Sequence, residues 1–196
     1  MDFNTVISKY KVSEYKELSQ KPDSGVYLMS RGEEDCFVLR IYSHEMPVYE
    51  MLKKQGYKGF PQVYDCRWED EFFVVEEQFV DGVSLQEMID GGEKMDEKRA
   101  MNITAKTCNA LDLLHRSGFI HRDVKPEHVM MNQQGEIFLI DLDAAMRIEP
   151  GKRNDTRVLG TAGYAAPEQF GLTRSDIRTD IYAVGILLNT LLTGQH

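Results

Sequence analysis

The sequence contains few cysteines, and no two of them stand at a metal-binding spacing. Its three cysteines are Cys36, Cys66 and Cys108, which are far apart in a chain of 196 residues. An odd number of cysteines without a CxxC pair argues against a structural zinc site and against a disulfide framework. We therefore expect reduced thiols and a cytoplasmic protein.

The chain also lacks long apolar runs and an excess of basic residues. No run approaches the roughly 18 apolar residues of a membrane helix, and the first twenty residues, MDFNTVISKYKVSEYKELSQ, are charged throughout, unlike a signal peptide. With 32 acidic against 23 basic residues, the net charge is -9. This balance disfavours the phosphates of nucleic acids and anionic membranes. We expect no nucleic-acid partner and no membrane insertion.

The predicted elements divide the chain into a β-rich part and a helical part. Strands are predicted at 25–29, 36–42, 62–68 and 71–77, with a helix from Pro47 to Gln55. Beyond residue 82, the pattern predicts helices at 84–90, 96–117 and from about 180, and a β-hairpin over 129–140. The sequence therefore predicts an α+β fold with a small antiparallel β lobe at 1–80 and a helical lobe at 81–196.

The long predicted helix has a pattern that suggests its buried face. Apolar and polarisable residues recur at helical spacing along 96–117, which predicts that one side packs on the core. The residues of that predicted face are Met101, Ala105, Cys108, Leu111 and His115.

The predicted hairpin gathers several reactive side chains at one strand edge. Asp123 and His128 precede its first strand, and Asp141 follows its second. Antiparallel pairing brings position 128 close to position 141, with Lys125 adding a cation nearby. Two carboxylates, an imidazole and an ammonium suit a metal-bound polyphosphate, where catalysis is mostly positioning and charge neutralisation. A solvated polar loop is the alternative interpretation.

Four short segments follow one another in a distinctive order along the second half of the chain. They are HRDVKP at 121–126, DLD at 141–143, GTAGYAAPE at 160–168 and DIYAVG at 180–185. In that order they resemble the catalytic loop, the metal motif, the end of the activation segment and the central helix of eukaryotic-type (Hanks-type) serine/threonine protein kinases, bacterial members in particular. The resemblance implies a bilobal protein-kinase-like fold, ATP with Mg²⁺ or Mn²⁺, and a protein substrate or regulated partner protein.

The resemblance also implies a role for each residue that matches a motif. Asp123 would accept or orient the proton of the substrate hydroxyl, Lys125 would neutralise the transferring phosphoryl group, and Thr161 would contact both. Asp141 would hold the metal ion. His128 stands where the family has an asparagine that binds a second metal, and imidazole suits manganese or zinc better than magnesium.

The nucleotide-binding motifs depart from the family pattern. Serine or lysine occupies positions 19, 21 and 24, where glycines are expected, and only Gly25 remains of a Gly-rich loop. Arg40 replaces the strand lysine, keeping its charge but not its shape. Its expected partner on the following helix is Glu50, with Glu45 as the alternative.

Two further residues are implied in adenine binding. Backbone groups of Gln78 and Val80 would bind the base, and Glu77 would be an unusually polar gatekeeper. The family's large lobe continues beyond the helix near Asp180, so we expect a chain that is cut at its C-terminus and leaves that helix partly uncovered.

The function predicted from these motifs is a serine/threonine protein kinase domain that transfers the γ-phosphoryl group of ATP to protein hydroxyls. A pseudokinase, acting as a nucleotide-binding or scaffolding regulatory module, is the alternative that the altered nucleotide motifs favour. A small-molecule phosphotransferase is a third interpretation, against which the segment at 160–168 argues.

Overall fold

The computed structural model describes residues 3–32, 35–93, 95–148, 161–170 and 174–194. These residues form two compact units. The first consists of Met1–Gly56 and Pro61–Phe79, and the second of Tyr57–Phe60 and Val80–His196. An antiparallel sheet in the first unit and helices in the second confirm the predicted α+β class.

A five-stranded antiparallel sheet forms the first unit, in the order β1-β2-β3-β5-β4. The strands predicted from the sequence are present within a residue or two. Strand β1 was not predicted, because its sequence is mostly polar and all of its residues are exposed. The elements are α1 (Asn4–Ile7), β1 (Glu14–Lys21), β2 (Ser24–Ser30), β3 (Cys36–Tyr42), α2 (Pro47–Gln55), β4 (Val63–Glu69) and β5 (Phe72–Gln78).

The central strand β3 is buried on both faces of this sheet. Its alternate residues Phe37, Leu39 and Ile41 join an apolar cluster with Phe3 and Val6 of the N-terminal segment. The intervening residues face the side on which α2 packs, where the hydroxyls of Tyr42 and Tyr49 lie 3.1 Å apart. Burial on both faces explains why β3 is an almost continuous apolar run. Arg40 is the one charged residue in it.

Gly25 serves the packing of this core. The hairpin of β1 and β2 turns at residues 22–23, with Lys21 paired to Ser24. A Cβ atom at Gly25 would lie within 3.0 Å of ring atoms of Phe3 and Tyr27. The last glycine of the expected Gly-rich loop is therefore required by aromatic side chains beside it.

The second unit combines helices with short strands. A three-stranded sheet has the order β6-β8-β9, and a two-stranded sheet pairs β10 with β7. Single 3₁₀ turns lie at Pro126–His128 and Pro167–Phe170. The elements are β6 (Gly82–Ser84), α3 (Leu85–Asp90), α4 (Glu97–Arg116), β7 (Phe119–Ile120), β8 (Val129–Asn132), β9 (Ile137–Leu139), β10 (Met146–Arg147) and α5 (Ile177–Thr193).

Side-chain caps fix where the helices begin. Asp96 accepts a hydrogen bond from the backbone N–H of Arg99, so the predicted cap of α4 is confirmed. Helix α5 begins three residues before the predicted start, because Asp176 and Thr179 form a capping box there. Asp180 lies inside the first turn of α5 instead and is fully buried.

The predicted buried face of α4 is wrong by about one position. Met101 is 56 % exposed, although the pattern placed it towards the core. The observed buried face contains small and polar residues as well as apolar ones. A pattern of large apolar residues alone therefore does not identify it. The buried residues are Ala100, Ile103, Thr107, Ala110, Leu111 and Leu114. Among the described helices, none combines the length and the apolar character needed to cross a membrane.

Two glycine-to-alanine substitutions should change stability in opposite directions. In Gly82→Ala, the new Cβ would overlap the carbonyl oxygen of Met131 on the paired strand β8, so we expect a loss of about 1–3 kcal/mol. Gly185 lies on the exposed side of α5 with no atom within 4 Å of an added Cβ. Gly185→Ala should therefore stabilise the protein by up to about 1 kcal/mol.

Urea unfolding of both variants beside the wild-type protein measures these changes in the free energy of unfolding. Equal effects of the two substitutions would contradict the packing described for Gly82.

Candidate active site

A buried carboxylate on α5 holds the loop that follows β7. Asp180 accepts hydrogen bonds from the backbone N–H of His121 at 2.9 Å and of Arg122 at 2.8 Å. Its Oδ2 also lies 2.7 Å from Nε2 of His115 in the last turn of α4. Arg122 has a φ of 70°, a left-handed conformation that non-glycine residues seldom adopt. The contacts to Asp180 stabilise this conformation, which sets the direction of the chain at Asp123.

Gln169 fixes the same loop from a second side. Its Nε2 donates to the carbonyl oxygen of Arg122 at 2.7 Å, and its Oε1 accepts from the N–H of Ala166 at 3.0 Å. The side chain is 3 % exposed, so these two bonds are made away from solvent. The segment 161–170 is thereby tied to the loop. The sequence motif did not include Gln169, which directly follows it.

Three predicted residues form a hydrogen-bonded cluster at this loop. The hydroxyl of Thr161 donates to Oδ1 of Asp123 at 2.7 Å and accepts from Nζ of Lys125 at 2.9 Å. Lys125 Nζ also lies 3.3 Å from Oδ2 of Asp123. The cluster leaves the Asp123 carboxylate 19 % exposed, so a substrate hydroxyl can reach it. An oriented carboxylate beside a fixed cation can accept a proton while an anion is neutralised.

His128 connects this cluster to Asp141. Its Nδ1 lies 2.9 Å from the carbonyl oxygen of Asp123, which can only accept, so Nδ1 carries the proton. Nε2 of His128 lies 3.3 Å from Oδ2 of Asp141. An imidazole nitrogen and a carboxylate oxygen this close together are both potential ligands of a divalent cation. A histidine that binds a metal ion through one ring nitrogen commonly donates a hydrogen bond from the other, as Nδ1 of His128 does to the carbonyl oxygen of Asp123.

The hairpin brings these two groups together as the sequence predicted. The N–H of Ile140 donates to the carbonyl oxygen of His128 at 2.8 Å, which extends the pairing of β8 with β9. Asp141 follows with a φ of 59°, and its Oδ1 accepts from the N–H of Asp143 at 3.2 Å. The expected proximity of positions 128 and 141 is confirmed.

Asp141 and His128 fit a divalent cation that takes most of its ligands from substrate phosphates and water. Within the described part of the chain, no group of three or more His, Cys, Asp or Glu side chains is placed to hold a metal ion. Mg²⁺ typically binds through one or two carboxylates together with substrate phosphates and water. Asp141 can supply the carboxylate, and His128 adds a nitrogen ligand, which suits Mn²⁺.

His121 supports the loop from inside the core. Its Nδ1 accepts from the N–H of Asp123 at 3.3 Å, and Nε2 has no hydrogen-bond partner among the described residues. Burial lowers the pKa of His121 below its usual value of 6.5, and the nearby carboxylate of Asp180 opposes this effect without reversing it. The ring is therefore neutral at physiological pH.

In the first unit, Arg40 pairs with a residue that differs from the predicted one. Its Nε donates to Oε1 of Glu77 at 2.6 Å, and both side chains are buried. Among the described residues Arg40 pairs with Glu77 rather than Glu50, so the predicted partner was wrong. Glu50 lies on the exposed side of α2, and Glu45 is exposed as well. Glu76 and Glu77 follow one another at the end of the apolar run of β5, and the sequence alone did not indicate which of them lies beside Arg40.

The two residues predicted to bind adenine are partly engaged already. Gln78 ends β5, where its backbone N–H donates to the carbonyl oxygen of Gln62 at 2.8 Å. Val80 is buried at the start of the second unit. Their part in adenine binding stays a prediction.

Comparisons with known proteins identify a matching family and several similar proteins. The family model for the protein kinase domain matches residues 40–196. The chain is 36 % identical over 121 residues to the serine/threonine-protein kinase PknB of Mycobacterium tuberculosis, which covers 60 % of this chain and 19 % of that protein. It is 30 % identical over 169 residues to the probable serine/threonine-protein kinase PknB of Lactococcus lactis, covering 86 % of this chain and 26 % of that protein.

A third similar protein is the probable serine/threonine-protein kinase CPE1738 of Clostridium perfringens, 33 % identical over 133 residues, or 67 % of this chain and 19 % of that protein. The matches therefore span between 19 and 26 % of the length of these relatives.

Proposed function

This chain belongs to the protein kinase domain family, and we propose that it is a serine/threonine kinase that transfers the γ-phosphoryl group of ATP to hydroxyls of proteins. The family predicted from the four motifs is confirmed, and its bacterial relatives are named serine/threonine-protein kinases. The observation that carries the proposal is the cluster of Asp123, Lys125 and Thr161, in which carboxylate, ammonium and hydroxyl are within 3.3 Å of one another.

The proposed reaction uses this cluster directly. The substrate hydroxyl oxygen forms a bond to the γ-phosphorus, while the bond from that phosphorus to the β,γ-bridging oxygen breaks and ADP leaves. The hydroxyl proton passes to the carboxylate of Asp123, which Thr161 orients through its bond to Oδ1. Lys125 stabilises the negative charge of the phosphoryl group during transfer.

The metal and nucleotide contacts of the proposal are those that the family resemblance implies. Asp141 and His128 would hold a divalent cation, Mg²⁺ or Mn²⁺, which would neutralise charge on the phosphates of ATP. Arg40 neutralises phosphate charge as well, and backbone groups of Gln78 and Val80 bind adenine. The hairpin at 21–24 has side chains where the family has glycines, so its backbone gives little contact to phosphates.

The pseudokinase alternative is not favoured. Asp123, Lys125 and Asp141 are all present, and the relatives found by comparison are named as kinases. A protein substrate is the partner we propose. The absence of nucleic-acid partners and the cytoplasmic location remain predictions from charge and cysteine content.

Substitution of the proposed base should abolish phosphoryl transfer. We expect Asp123→Asn to lower the rate by at least about 100-fold, because the amide cannot accept the hydroxyl proton. Mass spectrometry after incubation with ATP and either Mg²⁺ or Mn²⁺ would map phosphate on the chain itself and on added casein. Asp112→Asn, on the exposed side of α4, is the matched control and should keep wild-type activity. Equal phosphorylation by Asp123→Asn, or none by the wild type with either metal, would refute the proposed function.

Replacing the nitrogen ligand should alter metal choice. We expect His128→Asn to lower the affinity for Mn²⁺ relative to Mg²⁺ by about tenfold, because an amide oxygen replaces the imidazole. Electron paramagnetic resonance of Mn²⁺ bound with a non-hydrolysable ATP analogue, displaced by Mg²⁺, measures this ratio without turnover. His44→Asn, an exposed position in the first unit, serves as the control. An unchanged ratio in His128→Asn would exclude His128 as a ligand.

A further inference from the structure

We propose that Phe3 is the positioning residue of the hairpin formed by β1 and β2. Its side chain is 3 % exposed and packs on the face of the sheet opposite to α2. In the protein kinase pattern this hairpin lies at the phosphates of ATP, so the inference deepens the proposed function and rests on it. It assigns control of the hairpin to a segment that precedes the residues matched by the family model, which begin at residue 40.

Phe3 packs on two strands at the end of the sheet where two hairpins turn. An added Cβ at Gly25 of β2 would lie 2.9 Å from Cδ2 of Phe3. Phe3 also meets Phe72 of β5 edge to face, with the ring centroids 5.3 Å apart. Gly25 lies just after the turn between β1 and β2, and Phe72 just after the turn between β4 and β5. One aromatic side chain therefore joins β2 to β5, which are separated by β3 in the sheet.

The position of the β1–β2 hairpin depends on β2. All eight residues of the edge strand β1 are exposed, so this strand is held by its ladder to β2 rather than by a buried side. Elements with few buried apolar contacts have low local stability and follow the elements on which they rest. Strand β2, by contrast, buries Tyr27 and Met29 in the apolar cluster that includes Phe3. Packing on β2 consequently determines where the whole hairpin lies.

The tip of the hairpin is joined to the sheet as well. Lys21 pairs with Ser24, so only residues 22 and 23 form the turn. The N–H of Ser43, just beyond β3, donates to the carbonyl oxygen of Asp23 at 2.9 Å. A hairpin held at its tip and along one face presents a preformed surface to a ligand, and a preformed surface loses less conformational entropy on binding.

Polar contacts hold the N-terminal segment against β4 and β5. Nζ of Lys9 lies 2.6 Å from Oδ2 of Asp70 in the turn between these strands. The hydroxyl of Tyr10 donates to Oε1 of Glu76 at 3.0 Å. With the segment fixed at these points, Phe3 is kept against β2.

Hydrogen exchange in paired variants tests the inference without a nucleotide. Phe3→Leu removes the ring beside the hairpin turn, whereas Phe37→Leu removes a ring from the same cluster at the opposite end of the sheet, where Phe37 pairs with Met29. We expect the amides of residues 23–26 to exchange at least about tenfold faster in Phe3→Leu than in the wild type, and to change by less than about threefold in Phe37→Leu. The amides of residues 74–76 report any loss of stability of the whole sheet.

Steady-state kinetics with casein separates positioning from a loss of folded protein. A loosened hairpin should raise the KM for ATP about fivefold in Phe3→Leu and leave kcat within about twofold, because the residues proposed for transfer are unchanged. A smaller folded fraction would instead lower kcat without moving KM. Phe37→Leu should keep the KM for ATP within about twofold of the wild type.

Two exchange results would overturn the inference. They are equal protection of residues 23–26 in Phe3→Leu and the wild type, and equal loosening by Phe3→Leu and Phe37→Leu. Faster exchange with an unchanged KM for ATP would overturn the part of the hairpin in nucleotide binding. Absence of phosphoryl transfer by the wild type would refute the proposed function alone, because the exchange experiment does not require ATP.

A substitution on the hairpin keeps the test decisive if Phe3→Leu does not fold. In Gly25→Ala, the new Cβ would overlap ring atoms of Phe3 and Tyr27, so exchange at residues 23–26 should again become faster. Gly32→Ala is the matched control, because an added Cβ there meets no atom within 4 Å. Equal exchange of residues 23–26 in the two glycine variants would contradict the packing of Phe3 on the hairpin.

Discussion

The arrangement of the loop at 121–125 depends on the fully buried carboxylate of Asp180. This carboxylate accepts the backbone N–H groups of His121 and Arg122 and thereby stabilises a left-handed residue immediately before Asp123. A charged acceptor with several donors is a strong interaction in a low-dielectric interior. Because Asp180 lies on α5, the position of that helix determines where Asp123 presents its carboxylate, and Thr161 and Lys125 then orient it.

Charge pairing also organises the first unit, but by a different route from the family pattern. Arg40 is held by Glu77 on the neighbouring strand, whereas the helix residue Glu50 is exposed. The hairpin that begins the sheet has one glycine near its turn, and Gly25 is required there by aromatic packing. In the proposed function, both departures mean that side chains rather than backbone amides bind the phosphates. Neither departure alters the residues proposed for transfer, Asp123 and Asp141.

The sequence predicted the local structure of this protein better than it predicted contacts between residues that are distant along the chain. The hairpin brought His128 to Asp141 because antiparallel register follows from sequence spacing. The pairing of Arg40 could not be derived in this way, since strands β3 and β5 are separated by a helix and another strand. The motif at 180–185 also did not indicate that Asp180 is buried, because the helix was predicted only to begin near that residue. The face of α4 was misplaced because Ala100 and Thr107 contribute to the core without a large apolar side chain.

Hydrogen exchange at the amides of residues 121 and 122 in Asp180→Asn tests most directly whether this carboxylate shapes the loop. The amide side chain retains one acceptor oxygen, so one of the two N–H groups loses its partner, and we expect exchange there to be at least about tenfold faster than in the wild type. Asp176→Asn, which alters the cap of the same helix, should leave that exchange unchanged, and the amides of α4 report any global loss of stability. Equal protection of the loop in Asp180→Asn and the wild type would contradict the account.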